Sequence, residues 1–395
     1  MTKIKPVSPS HHGYIEGYYG RLLSWQDRHR LIDHLAHLGM TAYFYAPKED
    51  PYHRFQWRQA YDDDWRQLFR AFTAYAKDKG IRVIAGIAPG LDFDFSSLSN
   101  HLSDGGSGDG GDYTLLLNKA QQLLADGADE IGLLMDDIDP GFPGHAGEFH
   151  HDGEAHTALA NALGRDLDAP LSLTPRVYAD NIEDDGLYLP HLAQHLDQAI
   201  KVFTCGHHIV AADTALLDTK IVKAGMTEDR LIIWDNLYAH DYCPRRLFLG
   251  PYRGRHAGQA IMLNPTGLLE TDMMLLSLTQ GGGDENQWRR VLSDGGVPDA
   301  FFDVAPAFWG PPFPEDKTEP WPSPLPPEQG EALLNALDAL LWRWKSPLQR
   351  EWYPFLMGMR QDILLSLHRM TRRRIAKTAP PLLAPHLKHL ASPKG

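Results

Sequence analysis

The run Leu133-Leu134-Met135-Asp136-Asp137-Ile138-Asp139-Pro140 sets two consecutive carboxylates at the end of an apolar stretch. Adjacent ionised carboxylates repel each other, so such a pair usually persists because it binds a cation or divides acid and base labour. Successive strand residues face opposite ways, so both groups can enter one pocket only where the strand unravels. These residues alone leave three readings open. One is structural, with one aspartate capping a helix and the other bonded to a loop. The second is a Mg²⁺ site for phosphohydrolase chemistry, with Asp139 as a third oxygen ligand. The third is acid–base catalysis.

Other constellations weigh less. His145, His150, His151 and His156 crowd a short stretch with Glu148 and Glu154 but form no HExxH helix, so solvated loop histidines are favoured over zinc. Gly106, Gly108 and Gly111 fit GxGxxG formally, yet no strand precedes them, and neither GxSxG nor GxxxxGK[ST] occurs. Cys205 has no inferable base and reads as a buried thiol.

The elements that must carry these residues recur regularly. Short apolar or β-rich segments at 13–18, 41–47, 82–89, 130–137, 171–178, 201–206, 230–236 and 259–265 alternate with amphipathic stretches such as 24–38, 65–79, 113–126 and 154–167. Strand and helix alternating in this way over roughly 250 residues predicts a (β/α)₈ barrel, with an open doubly wound sheet as the alternative. Ser24 with Asp27 three positions on resembles a capping box, and Gly39 and Gly80 stand where helices should stop. The Gly-, Ser- and Asp-rich stretch 92–112 reads as a mobile loop over the active-site face. The barrel is expected over 8–285, a Pro/Gly-rich connection over 286–327 and a mainly helical region and tail over 328–395. Leu333, Leu334, Leu337, Leu340 and Leu341 suit a packed helix, and Arg372, Arg373 and Arg374 read as its solvated last turns.

A barrel places its chemistry at the C-terminal ends of its strands. The polar or small residues there are Glu16, Gly17, Lys48, Pro89, Gly90, Asp136, Asp137, Tyr178, Cys205, Asn236 with Asp241 beyond it, and Asn264. The aromatics Tyr18, Tyr19, Tyr178, Trp234, Tyr238 and Tyr242 cluster at the same ends, and aromatic faces beside hydrogen-bonding groups suit a sugar ring, although about half could be packing.

Charge bounds the partners. With 51 acidic against 38 basic side chains the formal charge is −13, which repels phosphate and excludes a dedicated nucleic-acid binder. The apolar windows 231–234 and 273–278 fall far short of the roughly 20 residues of a membrane span. Two cysteines cannot make a disulfide framework and residues 1–9 lack the apolar core of a secretory signal, so a cytoplasmic protein is expected.

Taken together, the stretches Gly13–Gly20 (GYIEGYYG), Tyr45–Arg54 (YAPKEDPYHR), Ala88–Phe93 (APGLDF), Met135–Asp139 (MDDID), Trp234–Tyr242 (WDNLYAHDY), Arg246–Arg255 (RLFLGPYRGR) and Leu263–Pro265 (LNP) resemble glycoside hydrolase family 84, the β-N-acetylglucosaminidases that include protein O-GlcNAcases. The resemblance covers about 250 residues in family order. It implies a retaining exo-β-N-acetylglucosaminidase that removes terminal β-linked GlcNAc by substrate-assisted catalysis through an oxazoline, with no cofactor and no metal. It implies that Asp136 orients and polarises the 2-acetamido group and that Asp137 is the general acid and later base. Gly17, Lys48, Asn236, Asp241 and Asn264 would be sugar-hydroxyl and acetamide ligands, Tyr178 would hold the acetamido carbonyl, and Trp234 would form a pocket wall. The implied partner is a β-GlcNAc glycoside, with an O-GlcNAc-modified protein and a homodimer left open. Where the family often has Trp-Thr-Gly this chain has Thr204-Cys205-Gly206, which implies an acetamide pocket of different size. The alternatives are a GlcNAc-binding protein with weak turnover and the Mg²⁺-dependent phosphohydrolase.

Overall fold

The computed structural model describes residues 11–103, 111–140, 146–311, 313, 324–378, 380, 382, 383 and 387. Eight parallel strands close into a barrel in sequence order: β1 (His12–Glu16), β2 (Ala42–Tyr45), β3 (Arg82–Ile87), β4 (Glu130–Leu134), β5 (Leu171–Thr174), β6 (Lys201–Thr204), β7 (Leu231–Asp235) and β8 (Ile261–Leu263). β8 returns to β1 with Gly13 opposite Met262, and Leu134 of β4 stands opposite Thr174 of β5. The expected (β/α)₈ barrel is thereby found, and the doubly wound alternative is not.

The observed strands end earlier than the apolar runs suggest. Gly17, Asp136, Asp137, Tyr178, Asn236 and Asn264 all lie just past a strand terminus. The backbone leaves the ladder there and side chains are released from strict alternation. The interior below is apolar, with Ile15, Phe44, Ile84, Leu134, Phe203, Ile232, Trp234 and Met262 in one buried cluster.

Helices are α1 (Trp25–His37), α2 (Asp63–Asp78), α3 (Phe95–Ser103), α4 (Asp112–Ala125), α5 (Asp152–Asp166), α6 (Tyr188–His195), α7 (Lys220–Lys223), α8 (Leu269–Leu278), α9 (Glu285–Asp294), α10 (Ala300–Val304), α11 (Pro327–Asp338), α12 (Pro347–Ser366) and α13 (Arg372–Thr378). Ser24 caps α1 by accepting from the Asp27 amide at 3.1 Å, and its hydroxyl donates to the Asp27 carboxylate at 2.7 Å. Gly39 and Gly80, in the left-handed region, follow α1 and α2.

Two expectations change. The stretch 92–112 is not wholly loop, because α3 buries Phe95 and Leu98 and Arg58 ties Asp92 to Asp112. Its Gly, Ser and Asp content hides that apolar i, i+3 pair. Gly106 and Gly108 lie outside the described residues. The Arg372–Arg374 run opens α13 instead of closing a longer helix, since α12 ends at Ser366 and His368 takes φ 53°. Exposure to solvent, not complementarity to a helix C-terminus, accommodates those charges.

The chain divides into two compact units. One holds residues up to Asp241 together with Arg253–Leu269, and the other holds Tyr242–Tyr252 with residues from Glu270 onward. Within the second, Leu333, Leu334, Leu337, Leu340 and Leu341 are buried. Glu351 of α12 caps the start of α8, accepting from the amides of Glu270 and Thr271 at 3.0 and 2.8 Å. Among the described residues no helix is long and apolar enough to cross a membrane.

Candidate active site

The carboxylate pair follows β4 by one residue, and the strand unravels through a specific device. Asp137 adopts φ 53°, a left-handed conformation that costs a non-glycine residue on the order of 1 kcal/mol. Both carboxylates then act electrostatically on the same neighbours, Tyr19, Tyr178 and Cys205.

Their surroundings differ. Asp136 is 7% exposed and its Oδ2 accepts from the Lys48 ammonium at 2.6 Å, with Lys48 itself 3% exposed. Its Oδ1 is buried and has no hydrogen-bond partner among the described residues. Buried carboxylate oxygens are seldom left so, and this one is an open acceptor beside a fixed cation. Asp137 is solvent-facing and both its oxygens are occupied: the Tyr178 hydroxyl donates to Oδ1 and the Tyr19 hydroxyl to Oδ2, each at 2.8 Å. Both phenols are held well above the ordinary tyrosine range, first by burial and then by the charge of Asp137, so they remain donors.

Across the barrel mouth, β1, β7 and β8 build a second group. The Gly17 amide donates to Asn264 Oδ1 at 3.2 Å, and Asn264 Nδ2 donates to Asn236 Oδ1 at 2.9 Å. Trp234 Nε1 donates to the same Asn236 oxygen at 3.0 Å, while Asn236 Nδ2 donates to the Ile209 carbonyl at 2.9 Å and to Cys205 Sγ at 3.5 Å. The amide of Asn236 is therefore fully engaged within the protein, whereas Asn264 keeps one N–H to spare. A Cβ on Gly17 would stand 2.5 Å from Trp234 Cζ2, so only glycine lets the indole close that wall. The two groups are joined: the Cys205 amide donates to the Tyr178 carbonyl at 2.7 Å, and Asp241 accepts from the Tyr19 amide at 3.0 Å. Gly17, Lys48, Asp136, Asp137, Tyr178, Trp234, Asn236, Asp241 and Asn264 thus lie at one end of one barrel.

Other candidates fall away. Glu16 is fully buried, accepting from Arg28 Nε and Nη2 at 2.8 Å each and from the Tyr43 hydroxyl at 2.6 Å, which makes it a structural ion-pair centre. Tyr18 and Tyr238 are buried packing, whereas Tyr19 and Tyr242 are 40% and 57% exposed. The Cys205 thiol is buried and pushed far above its ordinary range by that burial, which leaves it inert. His145 lies outside the described residues, His151 caps α5 and His156 is buried against Tyr188, and among the described residues no three potential ligands converge for a metal.

Two residues of the loop between β2 and α2 were not singled out by residue type or spacing. Arg54 is 5% exposed, and its Nη2 donates to the Asp137 carbonyl at 2.8 Å while its Nη1 donates to the Tyr19 hydroxyl at 3.1 Å. His53 is fully buried, donates from Nδ1 to the Gly86 carbonyl at 2.9 Å, and is pushed down to about 3, chiefly by burial and then by Lys48. Adjacent basic residues in a βα loop were the available signal.

A family model described as beta-N-acetylglucosaminidase matches residues 12–276. Protein O-GlcNAcases of Rattus norvegicus and Mus musculus are each 29% identical to this chain over 254 residues, 62% of this chain and 26% of theirs. The matched region thus spans about a quarter of those relatives. An O-GlcNAc hydrolase mutant of Thermobaculum terrenum has a similar fold, with a TM-score of 0.71 at 21% identity, covering 95% of this chain and 88% of that one.

Proposed function

Because this chain belongs to the β-N-acetylglucosaminidase family, we propose that it is a retaining exo-β-N-acetylglucosaminidase that uses the substrate's own acetamide as nucleophile. The observation that carries the reading is the contrast within the pair: a buried Asp136 with one open oxygen, next to an accessible Asp137 held by two phenols. Two sequence neighbours are poorly placed to flank a glycosidic bond from opposite sides, as an acid and a carboxylate nucleophile must. They suit a division in which one holds the acetamide and the other serves the leaving oxygen.

In the proposed reaction the acetamide N–H donates to Asp136 Oδ1, while Lys48 holds the carboxylate in place through Oδ2. The carbonyl oxygen attacks C1 as the bond from C1 to the aglycone oxygen breaks, and that oxygen takes the proton of Asp137. The product is the protonated oxazoline, an oxazolinium ion whose positive charge lies against Asp136. Asp137 then accepts a proton from water, which attacks C1, reopens the oxazoline to the acetamide and leaves the β configuration. Tyr178 would turn the hydrogen bond its hydroxyl donates from Asp137 to the acetamide carbonyl. Trp234, Gly17, Asn264 and Asp241 line the sugar pocket, with Asn236 holding Trp234 and Asn264 in place.

The Mg²⁺ reading is disfavoured because the Lys48 ammonium already occupies the position beside Asp136 that a divalent ion would take. The substrate is a terminal β-GlcNAc glycoside, and an O-GlcNAc-modified protein is the aglycone we favour from the relatives' names. Two cysteines, too few for a disulfide framework, suit a reducing, cytoplasmic setting. Turnover of a chromogenic β-GlcNAc glycoside, alongside titration with a thiazoline mimic of the oxazoline, tests the reading. Tight binding without turnover would instead mark a GlcNAc-binding protein, and faster release from oligosaccharides than from an O-GlcNAc protein would redirect the aglycone.

A further inference from the structure

Asp137 combines three features that work against a fixed side chain: it is solvent-facing, it follows the end of a strand, and it holds a left-handed backbone without being glycine. A free aspartate there would relax to negative φ and swing its carboxylate away. One residue opposes both movements at once. The planar guanidinium of Arg54 donates one N–H to the Asp137 backbone carbonyl and another to the Tyr19 hydroxyl, which itself donates to Asp137 Oδ2. Backbone and carboxylate are thus gripped from the same fork, a geometry that lysine cannot reproduce.

The fork is itself anchored. The preceding residue, His53, accepts from the Ala88 amide at 2.9 Å and donates through its ring to the Gly86 carbonyl, so the loop is stitched to β3 immediately before Arg54. Tyr19 is held at its own backbone by Asp241. A hydroxyl that accepts from a cation is a stronger donor to the next acceptor, so the Arg54–Tyr19–Asp137 chain is cooperative.

We propose that Arg54 and Tyr19 are positioning residues for the general acid, Arg54 by holding the left-handed backbone of Asp137 and Tyr19 by relaying the guanidinium to its carboxylate. The proposal rests on the functional reading above. It assigns to these residues an effect on proton delivery to the leaving group and none on sugar binding. Tyr19 stays protonated for the task, since burial and the Asp137 charge both favour its neutral form.

The test compares a dinitrophenyl β-GlcNAc glycoside, which departs without protonation, with an alkyl one, which requires it. Tyr19→Phe and Arg54→Gln should lower kcat/KM, which reads only the step in which the leaving group departs, about 100-fold on the alkyl glycoside and less than about fivefold on the dinitrophenyl one. In an Asp137→Asn background Arg54→Gln should add no further loss. Equal losses on both substrates, or losses that add to those of Asp137→Asn, would overturn the assignment in favour of a structural role. Should Arg54→Gln fail to fold, Tyr19→Phe carries the test, because it removes one oxygen from a side chain that is 40% exposed. A wild-type protein that hydrolyses neither glycoside overturns the functional reading itself, an outcome distinct from active enzyme with unselective variants.

Discussion

The Lys48 ammonium lies 2.6 Å from Asp136 Oδ2, while the other oxygen of that carboxylate is buried and unpartnered among the described residues. One oxygen is locked and the other offered, so a ligand N–H can dock without the protein reorganising.

Removing the lock should cost both stability and activity. Lys48→Met leaves a buried carboxylate without its cation, a change worth about 3 kcal/mol or more. Chemical denaturation should register that loss, and kcat/KM for a β-GlcNAc glycoside should fall by at least about 100-fold. Wild-type values for both would show that the pair is incidental.

The two aspartates should separate by leaving group. Asp137→Asn is expected to lose most on glycosides with poor leaving groups, on the order of 10²-fold or more, and little on activated ones. Asp136→Asn should depress both alike. Steady-state kinetics with two aglycones reads the difference directly, and a uniform loss in Asp137→Asn would remove it from the acid role.

Gly17→Ala sets a methyl group 2.5 Å from Trp234 Cζ2 and 2.9 Å from Cη2. The indole must shift, at a cost of about 1–3 kcal/mol for overpacking. Because Trp234 donates to Asn236, which is held in turn by Asn264, the shift should propagate into the pocket. A lower Tm together with a raised KM is expected, whereas an unchanged KM would place the indole outside the substrate's reach.

Stability should fall on mild acidification. His53 and His156 are fully or almost fully buried and pushed down to about 3, against about 6.5 in an unfolded chain. Between those values the unfolded state binds protons that the folded state refuses. Stability present above pH 6.5 is therefore lost as pH drops towards 3, by up to about 1.4 kcal/mol per pH unit for each histidine. Denaturation at pH 7 and pH 5 should show this, and His156→Gln should flatten the slope.

The barrel is legible in the sequence because each strand is a compact apolar run closed by a polar residue, so the strand ends and the carboxylate pair announce each other. Gly17, Lys48, Asn236 and Asn264 are legible for the same reason. The tie of Arg54 and Tyr19 to Asp137 is not, because it joins loops 83 and 118 residues apart in sequence and no local period records it. The left-handed turn at Asp137 is equally silent, since nothing in an Asp-Asp dipeptide specifies φ. Helix α3 escaped because its two buried residues are spaced by serines inside a Gly-, Ser- and Asp-rich stretch.

The central claim is that the acetamide carbonyl, and not a protein carboxylate, attacks C1. Successive fluorination of the N-acetyl group drains that oxygen of nucleophilicity while leaving the leaving group untouched. The measurement is kcat/KM for aryl β-glycosides bearing N-acetyl, N-fluoroacetyl, N-difluoroacetyl and N-trifluoroacetyl groups. A steep, monotonic fall, on the order of 10²-fold or more across the series, is the result predicted for substrate assistance. A flat series would contradict it and return the nucleophile to the protein.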